Sequence, residues 1–111
     1  MTVGDWLDAR TPPAPPALGA RLSGALGAAR DADASRASDA CLEAAERLVG
    51  EVLRGNCTSR ESALDLLTAD ALVTYAFEAA GESGTDLALR AADAMRRIAA
   101  LGAANADAMT P

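Results

Sequence analysis

The 111-residue sequence contains no histidine and no lysine, and its aromatic residues are limited to Trp6, Tyr75 and Phe77. The absence of histidine excludes a Ser-His-Asp triad, a Cys-His nucleophile pair and every metal site that depends on histidine ligands. No run of about 18 apolar residues occurs, so we expect no membrane-spanning helix. The N-terminal segment lacks both a basic start and a long apolar run, and we therefore expect no signal peptide.

Positive charge is also scarce in this chain. The ten arginines are outnumbered by sixteen acidic residues, which gives a formal net charge of −6 and a pI near 4.4. An acidic chain is repelled by the phosphates of nucleic acids and by the headgroups of anionic membranes. We therefore predict that neither is a partner.

Large apolar side chains are few for a chain of this length. Leucine, isoleucine, valine and phenylalanine total 20 residues, whereas alanine alone totals 29. A chain of this size supports one domain, residues 1–111, and seams lined by alanine bury little apolar area per helix. We therefore predict that the domain gains further buried surface by forming a homodimer.

Apolar residues recur at helical spacing along most of the chain, and β-type alternation is absent. This pattern predicts an all-α fold, a small four-helix bundle, with helices at about 16–29, 38–54, 59–80 and 85–102. The third helix begins with a predicted capping box, in which Thr58 caps the Glu61 amide.

The segments outside the predicted bundle have different characters. Residues 1–15 form a short arm that carries Trp6 and ends in a proline-rich linker. Residues 103–111 are small and polar, and we predict a disordered tail there. Residues 30–38 fit either a loop or the entry to the second helix.

The third predicted helix carries two apolar stripes on nearly opposite sides. The first stripe is Leu64, Leu67, Ala71 and Tyr75. The second stripe is Leu66, Val73 and Phe77. A helix that is apolar on two sides needs cover from neighbours within the chain or across a dimer, so we predict that the homodimer is built around this helix.

A polar stripe of Asp70, Thr74 and Glu78 follows the same helix at i,i+4 spacing. Paired carboxylates of this kind serve general acid–base catalysis or bind an oxygen-liganded cation such as magnesium, calcium or manganese. The structural alternative is that the stripe faces water or pairs with an arginine, the candidates being Arg47, Arg90 and Arg97. We favour the structural interpretation, and we predict no bound metal and no cofactor.

The two cysteines are predicted to be free thiols. Cys41 lies early in the second helix and Cys57 in the loop after it, which separates them by about 20 Å of helical rise, whereas bridged Cα atoms lie within about 7 Å. Free thiols are typical of a cytoplasmic protein. Cys57 also precedes the N-terminus of the third helix, where the helix dipole lowers a thiol pKa, and it is therefore a candidate reactive thiol.

Residues 69–78, which read Ala-Asp-Ala-Leu followed by Tyr-Ala-Phe-Glu, resemble a helix of the trans-isoprenyl diphosphate synthases. That family holds magnesium and diphosphate with aspartate-rich Asp-Asp-x-x-Asp motifs. These motifs are absent from this sequence, so the resemblance implies no activity here.

Together these observations favour a binding or scaffolding protein over an enzyme, with a second copy or another protein as its partner. Two alternatives remain open from the sequence. One is a small enzyme-like domain that binds a ligand or a divalent metal in the groove of Asp70, Thr74 and Glu78. The other is a thiol-based regulator that acts through Cys57.

Overall fold

The regular structure of the chain is helical throughout the residues that the computed structural model describes, which are 1–55, 59–82 and 87–108. Two short 3-10 helices connect the second α-helix to the third, at Gly27–Asp31 and Ala34–Arg36. The α-helices are α1 (Val3–Asp8), α2 (Pro16–Leu26), α3 (Ala37–Arg54), α4 (Arg60–Glu82) and α5 (Leu87–Ala108). The all-α prediction is confirmed, and the four long helices of the described residues fit the predicted four-helix bundle.

Two helix ends, those of α2 and α5, differ from the sequence prediction by more than two residues. The first long helix ends at Leu26 because Gly27 adopts a φ of +52°, a left-handed conformation that favours glycine. The segment 30–38 then contains 3-10 turns and the start of α3 rather than an extended loop. The predicted disordered tail is wrong for residues 103–108, which extend α5, because their alanine-rich sequence favours helix.

The N-terminal arm contains a helix of its own, which the sequence pattern did not indicate. Thr2 caps α1 by accepting a hydrogen bond from the Asp5 amide at 3.1 Å, and the Asp5 carboxylate accepts one from the Thr2 amide at 3.0 Å. These bonds lower the pKa of Asp5. The Val3 amide also donates to the Ala32 carbonyl at 2.8 Å, which attaches the arm to the 3-10 segment.

Helices α3 and α4 run antiparallel and form the most extensive interface in the molecule. Alanine is the commonest buried residue in both helices, and one leucine from each helix, Leu42 and Leu72, is fully buried. The buried alanines include Ala40, Ala44 and Ala45 of α3 and Ala69, Ala76 and Ala79 of α4. Small side chains at these positions let the two backbones approach closely, which compensates for the shortage of large apolar residues.

The buried face of α4 lies between the two apolar stripes predicted for this helix. Ala69, Leu72 and Ala76 face α3, so the two predicted stripes form the shoulders of the buried face rather than its centre. Leu66 and Leu67, one from each stripe, are exposed. The residues with the largest side chains therefore do not mark the core side of this helix.

Helix α4 begins at Arg60, and Ser59 occupies the capping position. The Ser59 hydroxyl oxygen accepts a hydrogen bond from the Ser62 amide at 3.0 Å, which satisfies one of the amides that a helix start leaves unpaired. Thr58, the cap predicted from the sequence, lies outside the described residues. The start of the helix is therefore close to the predicted position.

Helix α5 packs mainly on α3 and less on α4. Arg97 links the two elements by pairing with Glu46 of α3, and it also lies 3.5 Å from Asp93 of its own helix. Within the ranges that the structure describes, every helix is too short or too polar to cross a lipid bilayer.

Candidate functional site

The predicted polar stripe lies on the exposed side of α4. Asp70, Thr74 and Glu78 are all exposed. The Thr74 hydroxyl donates to the Asp70 backbone carbonyl at 3.1 Å, so it is satisfied within the helix. The stripe therefore faces solvent along most of its length rather than an enclosed groove.

The structure brings two of the three stripe residues to one cleft. A shallow cleft of about 270 Å³ opens between the end of the N-terminal arm and α4. It is lined by Arg10, Thr11, Pro12, Ala71, Thr74, Tyr75 and Glu78. Asp70 lies outside this lining, so the two carboxylates of the stripe do not converge on one point.

The arginine that meets the stripe comes from the N-terminal arm. Arg10 Nη1 lies 3.8 Å from Glu78 Oε2 and donates a hydrogen bond to Glu82 Oε1. The arginines expected at this position are engaged elsewhere or not described. Arg47 donates to the Ala25 carbonyl and Arg97 pairs with Glu46, while the Arg90 side chain lies outside the described part of the structure.

Trp6 completes a cluster with these groups. Its indole Nε1 donates to Glu82 Oε2 at 2.7 Å, and the Arg10 guanidinium carbon lies 4.3 Å from the ring centroid. The Tyr75 ring meets Trp6 edge to face, with the centroids 6.3 Å apart. The hydrogen bonds from Trp6 and Arg10 lower the pKa of Glu82, which stays ionised. We call Trp6, Arg10, Tyr75, Glu78 and Glu82 the arm cluster.

Sequence reasoning missed the arm cluster, although spacing contains a signal for it. Trp6 and Arg10 are four residues apart, and so are Glu78 and Glu82. The first pair offers a positive charge and an indole N–H, and the second offers two carboxylates. The two pairs are therefore complementary in charge and in hydrogen bonding when the arm meets α4. The spacing within either pair does not predict that the two pairs are in contact in the folded protein.

The chemistry available to the arm cluster is anchoring. Both carboxylates lie near the positive charge of Arg10, and Glu82 accepts hydrogen bonds from Trp6 and Arg10 that lower its pKa. Across the described ranges, no three side chains among cysteine, aspartate and glutamate are grouped as metal ligands would be. The cluster therefore holds the arm against α4.

A second exposed feature lies on the N-terminal half of α4. Leu66 and Leu67 are 46% and 56% exposed, beside the exposed Ala63. Arg60 and Asp70 flank the leucines, and in the part of the chain that the structure describes neither side chain forms an ion pair. We call Arg60, Ala63, Leu66, Leu67 and Asp70 the α4 patch.

The two cysteines differ in what the structure says about them. Cys41 is fully buried and free, and burial raises its thiol pKa to about 11. At neutral pH such a thiol is protonated and unreactive. Cys57 lies outside the described residues, so its reactivity stays a prediction from the sequence.

Comparison with known proteins adds no relative. No protein-family model, no curated protein and no solved structure matches the chain significantly. Functional interpretation therefore depends on the geometry of the molecule itself.

Proposed function

We propose that this chain is a protein–protein interaction module that self-associates through the α4 patch. The observation that carries the proposal is the adjacent pair Leu66 and Leu67, which lie exposed on the 23-residue helix α4. Adjacent exposed leucines on a rigid helix are typical of surfaces that a partner covers. A homodimer buries them without requiring any other protein.

The other candidate surface supports binding rather than catalysis. In the cleft beside the arm, Thr74 is satisfied within its own helix and Glu78 faces Arg10. Paired carboxylates act in acid–base catalysis only when they converge on one point, and Asp70 lies outside the cleft that contains Glu78. A cytoplasmic setting is part of the proposal, supported by the free and buried thiol of Cys41.

The test measures the mass of the protein in solution. Sedimentation equilibrium of the wild type over a micromolar to submillimolar series is expected to show a monomer–dimer equilibrium. The double variant Leu66→Gln/Leu67→Gln is expected to remain monomeric, because glutamine keeps helix propensity while removing the apolar surface. The matched control is Met95→Gln, which replaces a still more exposed apolar side chain (72%) on α5 and is expected to dimerise like the wild type.

Two outcomes would contradict the proposal. A wild type that stays monomeric over the whole series would exclude self-association. If Met95→Gln and the leucine variant weaken dimerisation equally, the dimer contact is not specific to the α4 patch.

A further inference from the structure

The charges of the α4 patch are unusual because neither forms an ion pair with any residue in the ranges 1–55, 59–82 and 87–108. Arg60 and Asp70 have no residue of opposite charge three or four positions away on their own helix. Their neighbours are paired, because Arg21 of α2 holds Glu61 at 2.9 Å and Asp65 at 3.5 Å. Arg60 also stands at the start of α4, where the helix dipole disfavours a cation.

The unpaired charges and the apolar residues share one face. At 100° per residue, Arg60, Ala63, Leu67 and Asp70 fall within an arc of about 80°, with Leu66 beside it. Along the axis, Arg60 and Asp70 lie about 15 Å apart, at 1.5 Å per residue, and the apolar residues lie between them. The face therefore has a positive end, an apolar middle and a negative end.

Such a face is complementary to itself when two copies run antiparallel. A two-fold axis level with residue 65 places each Arg60 at the height of the partner's Asp70, and each Leu67 at the height of the partner's Ala63. The large side chain then packs over the small one, which lets the two helices approach closely. Parallel pairing would instead place Arg60 beside Arg60 and Asp70 beside Asp70, which opposes like charges.

We propose that a second copy of this chain docks on the α4 patch with its α4 antiparallel, so that Arg60 of each copy pairs with Asp70 of the other. This inference rests on the proposed self-association and specifies its partner, orientation and register. The closed two-fold arrangement uses the same patch on both copies. Because the patch covers only about three helical turns, the interface is small and its affinity lies in the micromolar range or weaker.

The test exchanges the two charges between copies. Arg60→Glu alone places two carboxylates opposite each other, and Asp70→Arg alone places two guanidinium groups opposite each other. Each variant is expected to dimerise about tenfold more weakly than the wild type, since exposed pairs contribute modestly and two are lost per dimer. An equimolar mixture of the two variants is expected to recover wild-type affinity, because both pairs of the heterodimer are again of opposite charge.

Controls separate a failure of register from a failure of folding or of self-association. Arg36→Glu changes an exposed arginine away from α4 and is expected to dimerise like the wild type. The helicity and melting of each monomeric variant should match the wild type, because both side chains are exposed. If the wild type dimerises but the mixture remains as weak as its components, the register is wrong and the proposed function stands. A wild type that is monomeric throughout overturns both.

Discussion

The two halves of α4 differ in how much of their outer surface the rest of the chain covers. On the C-terminal half, the N-terminal arm lies over the helix, and Trp6 and Arg10 satisfy the Glu82 carboxylate. On the N-terminal half, Leu66 and Leu67 are exposed. One helix therefore has a half that its own chain covers and a half that the described residues leave open.

The difference shows where a chain with few large side chains places them: some stabilise contacts within the monomer, and others lie exposed. Trp6, its single tryptophan, is placed on the arm and is 7% exposed, so it fixes an intramolecular contact. The exposed leucines of the open half contribute less to folding than buried ones, because 46% of Leu66 and 56% of Leu67 stays in contact with water in the monomer. Apolar area that does not stabilise the monomer remains available for association.

The largest expected effect contrasts one residue from each half. Trp6→Ala removes a buried aromatic ring and is expected to lower the free energy of unfolding by about 3–5 kcal/mol. Leu67→Ala truncates an exposed side chain and is expected to change it by less than about 1 kcal/mol. Urea unfolding of dilute protein, followed by far-UV circular dichroism, measures both changes. Tryptophan fluorescence is unsuitable here because Trp6→Ala removes the single tryptophan. Equal losses would show that the arm is not docked.

A smaller effect is expected from the arginine of each half. Arg10→Gln removes a cation over an indole ring and its ion pairs, and is expected to lower the free energy of unfolding by about 1–2 kcal/mol. Arg60→Gln removes a charge that has no ion pair among the described residues, and the monomer is expected to change by no more than about 0.5 kcal/mol. The same urea series measures both. If Arg60→Gln is as costly as Arg10→Gln, the two halves do not differ in the way described.

The long helices were predictable because periodicity is strong where a helix spans many turns. The predicted 38–54 and 59–80 lie close to the observed Ala37–Arg54 and Arg60–Glu82. Helix α1 was not predictable in this way, since its six residues span fewer than two turns and depend on capping and docking. The prediction of the core face of α4 was wrong because leucine has a higher hydropathy than alanine and so dominates the apolar pattern. Closely packed helices instead bury small residues such as alanine at their interface.

The candidate site was predictable in part for a related reason. The stripe at 70, 74 and 78 follows from local spacing, and its i,i+4 geometry holds because all three residues lie in one helix. Its cationic partner does not follow, because Arg10 is separated from Glu78 by most of the chain. Long-range pairings depend on how the arm crosses the bundle, and no local pattern encodes that path.

A still smaller effect is expected from acid on the covered half. Contacts with Trp6 and Arg10 hold the pKa of Glu82 below its ordinary value of 4.5. A carboxyl group whose pKa is lower in the folded state stabilises the fold above its unfolded pKa, and this stabilisation is lost as the pH falls through the folded pKa. Melting temperatures measured from neutral pH to below pH 4.5 should therefore decline less in Glu82→Gln than in the wild type. Glu43→Gln, an exposed change on α3, is the matched control and should decline like the wild type.

The smallest expected effect, no change at all, concerns divalent cations on the covered half. A carboxylate site would be suited to magnesium, calcium or manganese. Glu78 and Glu82 already lie beside Arg10, whose positive charge opposes a second cation, and Asp70 lies outside their cleft. We therefore expect millimolar concentrations of each ion to leave the melting temperature unchanged.

The measurement is sensitive enough to make that result meaningful. An ion at a hundred times its dissociation constant adds about 2.7 kcal/mol to the free energy of unfolding, which raises the melting temperature of a domain this size by several degrees. Scanning fluorimetry with an external dye detects such a shift. A rise that disappears in both Asp70→Asn and Glu78→Gln would show that the stripe binds metal, and the stripe would then be the functional site in place of the exposed leucines.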